Sequence, residues 1–227
     1  MVELERPMLK EFLTELEQFA DPERAEGSKR YHKIDRPYMG VRVPEITGIS
    51  AAAARKYGGK DLLALCDRLW ETNIHEARIA AGKILERKEV TNIEGIWARV
   101  DRYKEDLDSW AIADHLAHAA FRCLEQEPLY LDEIEGKWLH HPSFWVRRAS
   151  LVFTLFLAKK GKDPERPLSW AAGMVDDHEW FIQKAIGWWL RELSKHNPDR
   201  AGIFLAKYSS RMKPFAVREA SKYLPGG

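Results

Sequence analysis

Ile182-Gln183-Lys184-Ala185 is one of several variants of a short helical pattern that recurs along this chain. The other copies are Ala77-Arg78-Ile79-Ala80, Trp110-Ala111-Ile112-Ala113, Val146-Arg147-Arg148-Ala149 and Val217-Arg218-Glu219-Ala220. From copy to copy, their final alanines are 33, 36, 36 and 35 residues apart. A period near 35 residues is typical of stacked helical units, each of which buries its apolar face only against a neighbour. The pattern therefore predicts a repeat protein.

The rest of the sequence also has the spacing of helices. Apolar residues recur at three- and four-residue intervals, as in residues 61–70 and 76–87, and short breakers with proline or glycine separate such segments. No window of six residues shows the apolar and polar alternation of a half-buried strand. We therefore predict an all-α protein, an α-solenoid in which helix pairs form a superhelix, with a single domain over residues 1–227.

The repeated alanine defines a register for each copy of the pattern. Positions three before it and four after it share its helical face and are mainly apolar, so this stripe is expected to form the core. The two positions before the alanine carry Arg147, Arg148, Gln183, Lys184, Arg218 and Glu219. Second helices line the concave side of a superhelix of helix pairs, so these residues are expected to face a shared groove. Because most of them are basic, the sequence predicts a concave basic groove.

The composition is that of a soluble globular protein, with 45% apolar and 31% charged residues among 227. No stretch approaches the roughly 20 apolar residues of a membrane span, and the start has no basic region followed by an apolar run. Cys66 and Cys123 lie in helical contexts and are expected to be reduced. We therefore expect a cytoplasmic protein with no membrane association.

The charges are unevenly distributed along the chain, although the net charge is only +1. Residues 61–140 hold 10 Lys and Arg against 17 Asp and Glu, whereas residues 141–227 hold 15 against 8. A basic C-terminal third suits a polyanion, because neutralising phosphates releases counterions. The alternative is that these charges lie on solvated helix faces.

The longest irregular stretch covers about residues 30–44, where two prolines and a glycine interrupt any helix. Its basic and aromatic side chains are of the kind that contacts a nucleic-acid backbone: Tyr31, Lys33, Arg36, Tyr38 and Arg42. The alternative is an ordinary connector whose Tyr38 and Met39 close the end of the helical stack.

One copy of the pattern departs from the others in a way that suggests chemistry. It begins at Trp110 and is followed by Asp114, so an indole and a carboxylate lie four residues apart on one helical face. A carboxylate at the edge of a core stripe is costly to desolvate and usually has a partner. Asp114 is therefore either a functional acid or one half of an ion pair that locks two helices.

These residues resemble the AlkD-like DNA alkylation repair glycosylases, a bacterial family built from HEAT-like repeats. The resemblance covers most of the chain. It rests on Tyr38-Met39-Gly40-Val41-Arg42-Val43-Pro44, Ser109-Trp110-Ala111-Ile112-Ala113-Asp114, Phe144-Trp145-Val146-Arg147-Arg148-Ala149 and the run from Phe181 through Glu192 to Pro198. It implies a superhelix of HEAT-like antiparallel helix pairs.

The resemblance also implies a site. The family's catalytic cleft uses two tryptophans, an aspartate and an arginine, which correspond here to Trp110, Trp188, Asp114 and Arg148. Arg191 corresponds to a residue that contacts the DNA backbone, and whether Arg147 or Arg148 contacts the phosphate stays open. With the groove and the irregular stretch, the expected DNA-binding residues are Arg147, Lys184, Arg191, Arg218, Tyr38 and Arg42.

The implied reaction is hydrolysis of the N-glycosidic bond of N3- or N7-alkylated purines such as 3-methyladenine and 7-methylguanine in duplex DNA. Such a base is already cationic, so it leaves without a general acid, and no cofactor is expected. A carboxylate can stabilise the charge that develops on the deoxyribose or orient the attacking water. Indole faces add cation–π attraction of about 0.5–2 kcal/mol each, and an arginine can hold the neighbouring phosphate. The expected enzyme is a monofunctional, monomeric glycosylase, associated with the nucleoid, that needs no protein partner.

Three other interpretations fit parts of the sequence. His115 and His118 lie next to Asp114 and His140 and His141 follow later, but the registers of His115 and His118 point away from Asp114 and no Glu or Cys completes a set, so no metal site is predicted. A HEAT-like protein that binds branched or damaged DNA without excising bases remains an alternative. A scaffold that binds other proteins through its concave face is the third, although such a groove has no need for a Trp and Asp pair beside basic residues.

Overall fold

The computed structural model describes residues 2–224, and the side chains from residue 7 onward. The α-helices in this range are α1 (Val2–Glu17), α2 (Pro22–His32), α3 (Val43–Lys56), α4 (Gly59–Glu71), α5 (His75–Leu85), α6 (Ile93–Tyr103), α7 (Trp110–Gln126), α8 (Tyr130–Glu133), α9 (Phe144–Val152), α10 (Glu165–Gly173), α11 (Trp180–Ser194), α12 (Pro198–Tyr208) and α13 (Pro214–Ser221). Short 3₁₀ turns and one π-helical turn, Ile134–Trp138, supplement them. Residues 2–224 contain no β-strand, so the all-α prediction is confirmed.

The helices form two compact units that divide after Gln126. In the N-terminal unit, α4 packs against α5, α6 packs against α7, and α5 packs against both α3 and α7. In the C-terminal unit, α11 packs against α9, α12 and α13. Within each unit, the second helix of one pair therefore packs on the second helix of the next, as stacked repeats require. No helix within residues 2–224 is long and apolar enough to cross a membrane.

The predicted core stripe is confirmed by the repeated alanines. Each of them is completely or almost completely buried, on α5, α7, α9, α11 and α13 respectively: Ala80, Ala113, Ala149, Ala185 and Ala220. The flanking positions are buried as well in the third and fourth copies, with Val146 on α9, Phe153 directly after α9, and Ile182 and Trp189 on α11. In the last copy Val217 is only half-buried. A small side chain at the centre of each stripe lets neighbouring helices approach closely.

The same period appears in the polar contacts between repeats. Arg200 donates to both carboxylate oxygens of Glu165, 35 residues earlier, at 2.6 and 2.8 Å. Arg211 pairs with Asp176 across the same number of residues. In the N-terminal unit the hydroxyl of Tyr103 donates to Asp67, 36 residues earlier, at 2.7 Å. Equivalent positions of successive repeats are thus joined by hydrogen bonds as well as by apolar packing.

The predicted groove does not include Gln183. The register of this residue predicted that its side chain would face the groove, but the side chain is fully buried. Its amide donates to the carbonyls of Val175 and Asp177 at 2.9 Å, and its side-chain oxygen accepts the backbone N–H of Lys213 at 2.8 Å. The prediction was wrong because these loop groups need hydrogen-bond partners once they are buried, and Gln183 supplies them.

Residues 33–42, between α2 and α3, form no helix but have a defined conformation. The carboxylate of Glu76 accepts the amides of Met39 and Gly40 at 2.9 and 2.8 Å. Gly40 has a φ of +74°, and a Cβ atom there would lie 2.1 Å from the carbonyl oxygen of Asp21, so only glycine fits. Arg36 in this segment is one of the side chains of a kind able to contact a nucleic-acid backbone. Its side chain is 1% exposed and pairs with Asp108, so for Arg36 the alternative of a structural connector fits better.

Candidate active site

Trp110 and Asp114 begin α7 in the N-terminal unit. Ser109 precedes the helix, and its hydroxyl accepts the backbone N–H of Ala111 at 3.2 Å. Trp110 is the first helical residue, and 37% of its surface is exposed, which is unusual for so large an apolar side chain. Asp114 follows one turn later and is half-buried. The helix therefore brings an accessible indole and a carboxylate to one face, as the spacing predicted.

Aromatic rings from α2 surround the indole of Trp110. The ring centroid of Tyr31 lies 6.4 Å from that of Trp110, in an edge-on arrangement, and that of His32 lies 5.9 Å away. Behind His32 lie His75 at 4.8 Å and Tyr38 at 6.1 Å. We call His32, Tyr38, His75 and Trp110 the ring cluster. Sequence reasoning missed His32 and His75, because no local spacing signals a contact between residues 43 positions apart.

The loop before Trp110 is held by buried cations and an indole. The indole N–H of Trp70 donates to the carboxylate of Asp106 at 2.8 Å. The guanidinium of Arg78 donates to the carbonyl of Asp106 at 3.3 Å and lies 4.8 Å from the ring of Trp70. Two residues later, Asp108 pairs with the buried Arg36. These contacts fix the start of α7 and hence the position of the Trp110 backbone.

Burial controls the charge of the ring cluster. It lowers the pKa of His32, and the nearby guanidinium of Arg36 adds to this effect. It lowers the pKa of His75 to about 3, with further contributions from His32 and Arg36. Both imidazoles are consequently neutral at pH 7, and the nearby guanidinium of Arg36 is engaged with Asp108.

In the C-terminal unit, Arg147 and Arg148 are adjacent on α9 but differ in their surroundings. Arg148 is 3% exposed, and its guanidinium carbon lies 5.9 Å from the ring of Trp145. Arg147 is half-buried, pairs with Asp177 at 3.0 Å and donates to the carbonyls of His141 and Pro142 at 2.8 and 3.0 Å. The guanidinium of Arg147 therefore already has several acceptors within the protein.

Three predicted residues lie on successive turns of α11. Lys184 is exposed, with its ammonium 5.0 Å from the ring of Trp180, and Trp188 is half-buried one turn later. Arg191 follows, paired with Glu219 on α13 and 3.6 Å from Glu192. Lys184, Trp188 and Arg191 thus form one row along the helix.

The remaining predicted DNA-binding residues are separate from that row. On α13, Arg218 is exposed. In the N-terminal unit, Arg42 has a largely exposed side chain that pairs with Glu45 at 2.8 Å. Tyr38 is half-buried, and its hydroxyl donates to the carbonyl of Ile34 at 3.5 Å. Trp110 and Asp114 lie in the N-terminal unit and Arg148 and Trp188 in the C-terminal unit, and the catalytic cleft that the resemblance implies stays a prediction.

The sequence matches the family described as DNA alkylation repair enzyme over residues 12–224. The chain belongs to this DNA alkylation repair family. A structure described as a predicted DNA alkylation repair enzyme from Enterococcus faecalis is 23% identical, with a TM-score of 0.79 over 92% of this chain and 98% of that chain. AlkD2 from Streptococcus mutans is 18% identical, with a TM-score of 0.63 over 89% of this chain and 98% of that chain. Comparison with curated proteins gives no match.

The likeness to these structures confirms the predicted fold class, an AlkD-like helical solenoid. Membership of the family also confirms that the chain is related to enzymes of DNA alkylation repair.

Proposed function

We propose that this protein is a DNA glycosylase that hydrolyses the N-glycosidic bond of cationic N3- and N7-alkylated purines in duplex DNA. The proposal rests on family membership together with one observation. An accessible Trp110 indole and the Asp114 carboxylate lie on the same face of α7. An accessible indole face beside a carboxylate is suited to stabilising a developing positive charge.

The chemistry follows from the charge of the substrate. An alkylated purine of this kind carries a positive charge, so it leaves as a neutral base and needs no proton donor. As the bond stretches, positive charge develops on the deoxyribose, and a fixed carboxylate at Asp114 stabilises that charge or orients the attacking water. The indole faces of Trp110 and Trp188 attract the same charge through cation–π interaction. Arg148 is assigned to the phosphate beside the lesion.

Binding to DNA is assigned to the basic side chains of α9, α11 and α13. Lys184 and Arg218 are exposed and can reach a phosphate without rearrangement. Arg147 and Arg191 can do so only by sharing or leaving the carboxylates of Asp177 and Glu219. We assign Tyr38 and Arg42 to a further contact with the DNA backbone. The protein is expected to act as a cytoplasmic monomer on nucleoid DNA, without a cofactor or a protein partner.

The test is release of 7-methylguanine from methylated duplex DNA by purified protein. Asp114→Asn keeps the size of the side chain but removes its charge, so we expect a loss of at least about a hundredfold in the single-turnover rate, with DNA binding retained. Asp61→Asn, an exposed position in the first turn of α4, is the matched control and should excise at the wild-type rate. Full excision by Asp114→Asn would refute the catalytic assignment. Binding of methylated DNA by the wild type without base release would instead favour a non-catalytic DNA-binding protein.

A further inference from the structure

Contacts within α7 do not by themselves fix the orientation of the Trp110 indole. Trp110 is the first residue of the helix, so it has no preceding turn of the same helix to pack against. More than a third of its surface is open to solvent. An aromatic side chain in such a place adopts several rotamers unless neighbouring groups select one. For the proposed reaction the indole must present one face to the sugar, so its rotamer matters.

Tyr31 and His32 are the α2 rings that contact the indole, and they differ in how firmly they are held. Tyr31 is 69% exposed, so it has the freedom of a surface side chain. His32 is half-buried, and its ring lies parallel to that of Tyr38, with an interplanar angle of 5°. It also lies 4.8 Å from His75. His32 is thus the more rigid of the two neighbours of Trp110.

His75 connects this arrangement to the core. It is the first residue of α5 and is buried, and its backbone N–H donates to the carbonyl of Pro37 at 3.0 Å. The next residue, Glu76, binds the amides of Met39 and Gly40, which fixes the segment that carries Tyr38. A continuous series of contacts therefore runs from buried backbone through His75 and His32 to the exposed indole.

The contact series from His75 through His32 to Trp110 carries no charge at pH 7, which suits a cationic substrate. The groups that face His32 include Tyr31, Arg36, Tyr38, His75, Asp108 and Trp110, and burial together with Arg36 lowers the pKa of His32. At pH 7 the ring beside the indole is consequently uncharged. A permanent cation at the same place would repel the positive charge that develops on the sugar.

We propose that His32 is a positioning residue, which holds the Trp110 indole in the orientation that the glycosylase reaction uses. This inference rests on the function proposed above. His32 acts through Trp110, and the property required of it is an uncharged planar ring of the size of imidazole or phenyl.

The first experiment compares His32→Ala, His32→Phe and His32→Lys in single-turnover release of 7-methylguanine. We expect His32→Ala to lower the rate about tenfold, because a mispositioned Trp110 indole stabilises the transition state less well. The dissociation constant for DNA should hardly change. His32→Phe restores a planar uncharged ring and should recover most of the rate. His32→Lys fills space but adds charge, and should be at least as slow as His32→Ala. His118→Ala, at an exposed position on α7, is the control and should behave as wild type.

The second experiment measures the indole directly and does not depend on activity. Protein labelled with 5-fluorotryptophan gives one fluorine resonance for each tryptophan, and Trp110→Phe identifies the resonance of residue 110. We expect that resonance to be narrow in the wild type and in His32→Phe, and to broaden in His32→Ala as the indole samples several rotamers.

The outcomes separate the two proposals. An unchanged Trp110 resonance in His32→Ala, or a rate for His32→Phe as low as that of His32→Ala, would overturn the positioning role. A wild-type protein that releases no base would overturn the proposed function, while the fluorine spectra would still decide whether His32 orients Trp110.

Discussion

A buried histidine, His75, and a half-buried one, His115, make the stability of the N-terminal unit depend on pH. Burial lowers the pKa of His75 to about 3, and burial, assisted by Lys83 and His118, lowers that of His115 to about 4. In the unfolded chain both side chains titrate near pH 6.5. Between these values the unfolded state binds more protons than the folded state, so the folded state loses stability as the pH falls.

We therefore expect the free energy of unfolding to decrease between pH 6.5 and about 4, by about 1.4 kcal/mol per pH unit for each histidine. His75→Phe removes one of the two histidine contributions, so the free energy of unfolding of this variant should fall less steeply as the pH decreases over this range. The comparison concerns this slope and is independent of the variant's stability at pH 7. Urea denaturation at a series of pH values measures the slope. His178→Phe, at an exposed position, is the control, and a slope for His75→Phe equal to that of the control would contradict the assignment.

Some site residues could be found from the sequence and others could not, for a physical reason. Trp110 and Asp114 lie four residues apart in one helix, and the geometry of the helix alone brings them to one face. The contacts of His32 with His75 and of Arg36 with Asp108 depend on how residues 33–42 fold back against α5 and α7. That path is set by Gly40 and Glu76, whose partners are not local in sequence.

Two glycines mark close approaches between the second helices of neighbouring repeats. Gly187 on α11 follows the repeated alanine by two residues, and a Cβ atom there would lie 2.9 Å from the carbonyl oxygen of Ala216 on α13. Gly82 on α5 has the same register and similarly meets the backbone of His115 on α7, at 3.1 Å. In contrast, a Cβ atom at Gly202 on α12 would meet nothing within 4 Å.

Alanine substitutions at these glycines should therefore have opposite effects. Gly187→Ala forces α11 and α13 apart, and we expect a loss of about 1–3 kcal/mol in the free energy of unfolding. Gly202→Ala gains helix propensity without a clash, and we expect a gain of about 0.5–1 kcal/mol. Chemical denaturation of the two variants beside the wild type measures both. Equal effects at the two positions would mean that the helices adjust to the added methyl group.

In the proposed function, a carboxylate at the α11–α13 contact competes with DNA phosphates for the guanidinium of Arg191. Glu219 pairs with Arg191, a predicted phosphate contact. Removing its charge frees the guanidinium and removes repulsion of phosphate, so we expect Glu219→Gln to bind duplex DNA about two- to fivefold more tightly. Glu165→Gln makes the same change in net charge at the Glu165–Arg200 pair between α10 and α12. Equal gains in DNA affinity for the two variants would show that the gain comes from net charge alone and not from release of Arg191.

At the scale of helices, the repeat period was sufficient to predict which face is buried, because packing of a repeated stripe is encoded in local spacing. It was insufficient for Gln183, where the hydrogen-bonding needs of the loop before α11 overrode the register. The π-helical turn at Ile134–Trp138 has no counterpart in the repeat pattern.

For the whole molecule, the distribution of charge is the property that decides how strongly DNA is bound in the proposed function. The excess of basic residues lies in residues 141–227, and an excess of acidic residues lies in residues 61–140. Counterion release makes such binding depend on salt in proportion to the number of phosphates neutralised.

We expect the double variant Lys184→Ala with Arg218→Ala to weaken DNA binding and to reduce the slope of log affinity against log salt by about two ions. Both side chains are exposed on second helices. The double variant Lys159→Ala with Lys160→Ala makes the same change in net charge at exposed loop positions and should leave the slope nearly unchanged. Salt titrations of fluorescence anisotropy with duplex DNA measure both, and equal slopes would place the DNA elsewhere on the protein.

The polar contacts that recur at 35 residues constrain how proteins of this architecture can change length. Arg200 on α12 pairs with Glu165, the first residue of α10, one repeat earlier, so adding a single residue inside α10 or α12 would rotate one partner by about 100° relative to the rest of its helix. Insertion of a complete repeat preserves every such pairing. Evolution can therefore lengthen or shorten these chains within their helical parts only in whole repeats, while the loops between helices remain free to vary one residue at a time.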